Sequence, residues 1–258
     1  MSELLWFQYL LIAAIFIWSG FVRSGLGFGG NVLSLPFLLL VDDRPLVYLP
    51  LIAVHLLVFS SLTVYLNHRK AQAMPPTERV TTVDWHYLKF ALAVMLVPKL
   101  MGVVGLIKLP ADIMTAIIFC IIAVYSVSYI LNKPFRSNSR VVDILFLMVG
   151  AYISGTSLIG APLVVAVFAN HVARHQLRDT LFVLWFILVT IKMAAFIYVG
   201  VDLQWVHHLW LLPCAAVGHV LGLRLHDYML RAETSRFFRI LGSALLLVSL
   251  VGLVRVIT

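Results

Sequence analysis

Gly20-Phe-Val-Arg-Ser-Gly-Leu-Gly-Phe-Gly-Gly30 and Gly150-Ala-Tyr-Ile-Ser-Gly-Thr-Ser-Leu-Ile-Gly160 are the two stretches that decide the fold. At one offset of 130 residues, Gly20 falls on Gly150, Ser24 on Ser154, Gly25 on Gly155 and Gly30 on Gly160. Further along, Pro98-x3-Gly102 answers Gly218-x3-Gly222 at a slightly smaller offset. Self-similarity at half-chain spacing is the mark of an internal repeat. The 258 residues therefore read as two halves, 1–135 and 136–258.

Working outward, breaks in hydrophobicity predict ten membrane segments, five per half: about 4–22, 28–41, 46–67, 86–107, 111–132, 142–154, 158–170, 180–199, 205–224 and 237–257. A spanning helix needs ~20 residues. Segments 28–41, 142–154 and 158–170 fall short, since 13 residues cover roughly 20 Å of a ~30 Å core. Each half should then open with a helical hairpin that ends inside the membrane, about 4–41 and about 142–170, followed by three helices. The glycine motif stands at each hairpin tip, where it is expected to break the helix.

Composition agrees with this frame. Hydrophobic residues make up 62% and charged residues 12%, with mean hydropathy +1.02. Soluble domains hold roughly 45–50% apolar and about 25% charged residues. A water-soluble globule and a disordered chain are both excluded, and the continuous apolar runs do not alternate as barrel strands do. The first segment has Glu3 in place of a basic leader, and it is expected to stay as a membrane helix. Cys120 and Cys214 each sit alone in an apolar run and read as buried thiols without metal or redox spacing.

The net charge of +8 is not spread evenly. Twelve cations fall in loops on one face: Arg69, Lys70, Arg79, Lys133, Arg136, Arg140, Arg174, Arg178, Arg224, Arg231, Arg236 and Arg239. The face that carries both termini holds three, Arg44, Lys108 and Arg255. By the positive-inside rule the termini lie outside the cytoplasm, and the basic charge needs no nucleic acid to explain it. Five segments per half is an odd number, so equivalent segments run in opposite directions. The fold class expected is an all-α polytopic membrane protein of two inverted repeats, each opening with a Gly-tipped re-entrant hairpin.

The second arm of each hairpin starts at its tip and presents free amide N–H groups and a positive dipole end. Helix N-termini bind anions, and broken helices meeting at the midplane mark substrate sites in many transporters. The competing reading is that the glycines only permit close helix packing. Four further cations lie outside the loops, namely Arg23, Lys89, Lys99 and Lys192. Lys89 lies near a helix end and snorkels. Arg23 sits at the first tip, and Lys99 and Lys192 lie mid-helix, where an unpaired ammonium costs on the order of 3 kcal/mol. All eleven acids lie in loops or at helix ends, so the simplest counter-ion is the substrate. Ser24, Gly29, Gly30 and Asn31 on the first tip, with Ser154, Thr156 and Ser157 on the second, can present donors to an oxyanion. Their hydroxyls can equally bond their own backbone. His55 and His219 are mid-helix, and His219 is the repeat equivalent of Lys99. The helical pair His171-x3-His175 lacks a third metal ligand.

Gly25-Leu-Gly-Phe-Gly-Gly-Asn-Val-Leu-Ser-Leu-Pro36, its echo Gly155-Thr-Ser-Leu-Ile-Gly-Ala-Pro162, and Gly218-x3-Gly222 before a basic loop and a last helix resemble the TauE/SafE family over nearly the whole chain. The resemblance implies a bacterial inner-membrane transporter of sulfite, thiosulfate or an organosulfonate, usually an exporter. The glycine cluster departs from the usual pattern at Phe28 and across 156–159, where the anion would bind. The expected mechanism is alternating access, with the anion held between two half-helix N-termini and buried basic residues. Competing readings are transport of another small anion such as a carboxylate, an intramembrane enzyme, or a non-transporting partner subunit. No nucleophile, acid pair, metal cluster or nucleotide motif supports an enzyme, and no cofactor is implied. The partners expected are a small anionic substrate and the lipid bilayer, not nucleic acid, with a homo-oligomer left open.

Overall fold

A bilayer core offers no water to backbone polar groups, so each apolar run must satisfy its own amides by coiling into a helix. The computed structural model describes residues 4–26, 30–75, 77, 80–133, 135–231 and 234–257. Among these residues every regular element is helical. The ten helices are α1 (Trp6–Leu26), α2 (Gly30–Val41), α3 (Pro45–Gln72), α4 (Trp85–Lys108), α5 (Ala111–Ile130), α6 (Arg140–Ser157), α7 (Ala161–His171), α8 (Arg174–Tyr198), α9 (Trp205–Arg231) and α10 (Thr234–Ile257). Eight are long and apolar enough to cross a membrane, and the two short ones are α2 and α7.

Four expectations need correction. Segment 142–154 is not short: α6 has 18 residues and is itself a candidate span. The glycines Gly20, Gly25, Gly150 and Gly155 do not break helices, because α1 and α6 run straight through them. Most of the cations assigned to loops stand on helix ends instead. Arg69 and Lys70 end α3, Arg174 and Arg178 begin α8, and Arg224 and Arg231 extend α9. Arginine and lysine are good helix formers, so a helix continues beyond the apolar stretch that a hydropathy reading detects. Cys120 is exposed and Cys214 intermediate, and both are free thiols, not buried ones.

The chain folds into two compact units, and neither is one sequence half. Unit 1 comprises Met1–Ile52, Gly105–Phe135 and Val201–Thr258; unit 2 comprises Ala53–Val104 and Arg136–Gly200. In unit 1 the first hairpin, α1 and α2, packs on α9, while α5 pairs with α10. In unit 2 the second hairpin, α6 and α7, is joined by α4, α8 and most of α3. Each unit thus combines helices from both halves of the sequence.

Glycine makes the two hairpins' helix contacts close. A methyl group at Gly102 of α4 would lie 2.2 Å from the Tyr152 carbonyl oxygen and 3.0 Å from Gly155 Cα, both on α6. In unit 1, a methyl group at Gly222 of α9 would lie 2.4 Å from the Phe21 carbonyl oxygen and 2.9 Å from Gly25 N, both on α1. Small residues that let backbones touch are the usual adhesive of membrane helices. At these positions the packing reading of the glycines holds.

Candidate functional site

Unit 2 assembles the second hairpin tip from the end of α6 upward. Thr156 Oγ1 and Ser157 Oγ both donate to the Ile153 carbonyl at 2.9 Å. Their hydroxyls serve their own helix, which carries α6 through Gly155 to Ser157. The helix stops at Leu158, which takes the left-handed conformation at φ 61° and donates its N–H to the Ser154 carbonyl at 3.2 Å. That conformation costs a non-glycine residue roughly 1 kcal/mol. After three residues α7 begins at Ala161, with Pro162 in its first turn and no side-chain cap from Gly160. First-turn amides have no partner within their own helix. Here they lie among buried residues, Ile159 at 0% exposure among them.

Two lysines converge on the end of α6. Lys99, from α4, donates through Nζ to the Ser154 carbonyl at 2.9 Å and to Ser154 Oγ at 3.0 Å. Lys192, from α8, donates through Nζ to the Thr156 carbonyl at 3.1 Å and stands 5.5 Å from the Phe196 ring centre. Both lysines are 0% exposed. Their ammoniums lie near enough to act on each other. The carbonyls they cap belong to the negative end of α6, worth roughly half an elementary charge. Where both lysines are protonated, their charge exceeds that half charge, and the uncapped start of α7 adds its own positive end. The carboxylates of unit 2 are remote along the chain. Asp143 lies in the first turn of α6, about 16 Å from Ser154 at 1.5 Å per residue. Asp179, buried near the start of α8, accepts from Asn67 at 2.8 Å.

Unit 1 carries the counterpart. Ser24, near the end of α1, meets His219 Nδ1 of α9 at 2.5 Å, with both side chains buried. In the sequence Ser24 falls on Ser154 at the offset of 130 and His219 on Lys99 at the slightly smaller one, and each of the two pairs is in contact. Arg23 is buried in the last turn of α1, and Gly30 opens α2 close against the Arg23 Cβ. Asn31 is buried in the first turn of α2. Gly29 lies outside the described residues. His55, in the part of α3 that belongs to unit 2, is buried and stacks on Phe59 at 6.5 Å.

One feature was missed by the sequence reading. The far end of the second hairpin is clasped by His171 Nε2 and Asp143 Oδ2 at 2.9 Å, joining the end of α7 to the start of α6. Ser137 Oγ donates to Asp143 at 2.5 Å, Asn170 donates to the Ser137 carbonyl at 2.8 Å, and Tyr87 stacks on His171 at 4.9 Å. His171 thus pairs with a carboxylate 28 residues away and not with His175 at helical spacing. The first hairpin closes differently, with Gln8 Nε2 donating to the Val41 carbonyl at 2.9 Å.

Among the described residues, ten helices with eight candidate spans define a polytopic membrane protein with basic side chains buried in its interior. The sequence matches the family described as Sulfite exporter TauE/SafE from residue 11 to residue 253. The chain belongs to that family and is a membrane transporter. No curated protein and no solved structure matches it.

Proposed function

We propose that the protein exports a small sulfur-containing anion, sulfite, thiosulfate or an organosulfonate, across the bacterial inner membrane by alternating access. The anion is held by half-helix N-termini and buried basic residues. The observation that carries this reading is the pair Lys99 and Lys192, each fully buried and bonded to carbonyls at the end of α6. A dianion or monoanion at the start of α7 completes the balance, with the first-turn amides as donors. The family match supports the sulfur oxyanion as the class of substrate.

The same reading takes 1–135 and 136–258 as inverted repeats, with both termini on the outer face and the short arms α2 and α7 re-entrant. Matched contacts at matched positions, Lys99 on Ser154 and His219 on Ser24, support the repeat. Chemistry at the tip is confined to binding, since lysines, amides and back-bonded hydroxyls hold an anion without a nucleophile or acid pair. Export needs no coupled proton. A potential negative inside drives an anion outward with about 2.3 kcal/mol per charge for each 100 mV.

Proteoliposomes with a potassium–valinomycin potential test the proposal. Radiolabelled sulfite should move towards the positive side without a pH gradient, and unlabelled thiosulfate or taurine should compete better than acetate. Flux that ignores the potential and follows only a pH gradient would refute uniport. A preference for acetate would replace the sulfur oxyanion by a carboxylate.

A further inference from the structure

An apolar groove of unit 2 lies between the second half of α3 and the first half of α8, closed at one end by residues 81–85. It encloses about 450 Å³ and is walled by Val64, Val83, Phe182, Val183 and Phe186. Ser60 also lines it, 1% exposed, and its hydroxyl has no hydrogen-bond partner. Its neighbours behave otherwise: Ser61 donates to the Leu57 carbonyl at 2.7 Å and Thr63 to the Phe59 carbonyl at 2.7 Å. A hydroxyl in a membrane helix that does not bond its own backbone needs an acceptor from elsewhere, because a buried polar group left unmet keeps its full desolvation penalty.

The end of the groove near residues 81–85 is cationic. Arg69 lies over the ring of the lining residue Tyr65 at 6.0 Å, and Arg178 over the ring of the lining residue Phe182 at 5.8 Å. Lys70 and Arg174 stand on the same helix ends. Of the nearby acids, Asp179 is buried under the Asn67 amide and Asp84 caps the Tyr87 amide. Arg69 leans back one turn to the level of Tyr65, which lies about 7.5 Å along α3 from Ser60. A phosphate and an ester carbonyl of one glycerophospholipid, a few covalent bonds apart, span such a gap. Exposed Trp85 borders the groove, as tryptophan does at headgroup depth.

We propose that this groove holds an anionic phospholipid from the leaflet on the arginine-rich side. Its phosphate meets Arg69 and Arg178, an ester carbonyl accepts from Ser60, and one acyl chain lies along Val183 and Phe186. Charge complementarity selects the headgroup, since basic residues near the membrane surface attract anionic lipid. The lipid fills apolar volume between two helices and ties their ends together.

Delipidated protein in detergent, titrated with phosphatidylglycerol, phosphatidylcholine or glycerol 3-phosphate, tests this by thermal unfolding. Phosphatidylglycerol should raise Tm about 3 °C more than phosphatidylcholine, and glycerol 3-phosphate should leave it unmoved. Val183→Trp, which fills the groove, should abolish that difference, while Val124→Trp on the exposed side of α5 should keep it. If Val183→Trp does not fold, the double variant Arg69→Gln/Arg178→Gln takes its place, with the same loss expected. Equal shifts from both lipids, a shift with glycerol 3-phosphate, or a phosphatidylglycerol effect that survives in the groove or arginine variants would overturn the proposal in favour of bulk lipid or a free phosphate site.

Discussion

Lys99 and His219 hold equivalent places in the two units, one on Ser154 and the other on Ser24, yet they differ in charge. Lysine, when protonated, is a point charge that donates in three directions. Histidine is the side chain whose ordinary titration falls near neutral pH, and it both donates and accepts. Around Lys99 a second ammonium, Lys192, is drawn to the same helix end. Around His219 the nearby cation is Arg23, supplied by the hairpin itself. The two contacts share a serine near a helix end and differ in the basic group that meets it.

The largest expected effect bears on what the two units share. Gly102→Val and Gly222→Val drive branched side chains into backbone oxygens that a single methyl would already approach to 2.2 and 2.4 Å. Overpacking against backbone costs about 3 kcal/mol or more, so fluorescence-detected size exclusion should show loss of monodisperse protein in both. Tolerance of one and not the other would break the equivalence of the two contacts.

Next in size is Lys99→Met, which keeps the stem and removes the charge. A hydrogen bond to a charged group contributes about 1.5–3 kcal/mol, so sulfite flux in proteoliposomes should fall roughly 10- to 100-fold while the protein still folds. Lys99→His makes unit 2 resemble unit 1, and flux should then recover as pH falls through the ordinary histidine range. Unchanged flux in Lys99→Met would reduce the lysine to a cap on α6.

Smaller still is Ser24→Ala, which deprives His219 of its hydroxyl partner. One neutral hydrogen bond contributes about 1 kcal/mol, which predicts a roughly fivefold drop in flux. A loss as large as that from Lys99→Met would mean that the two tips share the charge work equally.

The smallest effect is expected at the clasps. His171 is 40% exposed, and a pair so open to solvent contributes less than ~1 kcal/mol. Asp143→Asn should lower Tm by about 2 °C, and Gln8→Met at the first hairpin by a similar amount. A much larger loss for Asp143→Asn would show that the Ser137 and Asn170 bonds stand or fall with the carboxylate.

Hydropathy located all ten helices because continuous apolar runs leave few alternatives inside a membrane. It misplaced their ends where polar side chains were absorbed locally. Gly155-Thr156-Ser157 looks like a break, but two hydroxyls bonded to the Ile153 carbonyl prolong α6. The true stop is at Leu158, a residue type that seldom takes positive φ and so gives no signal. The candidate lysines were legible as cations without acids, whereas their partners were not, because a backbone carbonyl has no letter in the sequence. The repeat held a usable clue: with Ser24 matched to Ser154 and His219 to Lys99, finding either contact predicts the other. The His171–Asp143 clasp gave no such clue, since its two members have no counterparts in the first half.

The sharing of helices between compact units also sets a timetable for synthesis. Ser24 must wait for His219, 195 residues later, whereas Lys99 needs Ser154 only 55 residues later. At roughly 5–20 residues per second the first delay is about 10–40 s and the second about 3–11 s. Unit 2 can therefore close while the ribosome is still working. The first hairpin, with Arg23 on board, must be sheltered in the insertion machinery until α9 arrives. A chain released before α9 would carry an unpartnered glycine face and an exposed arginine within the bilayer, which makes late truncations the natural targets of membrane quality control.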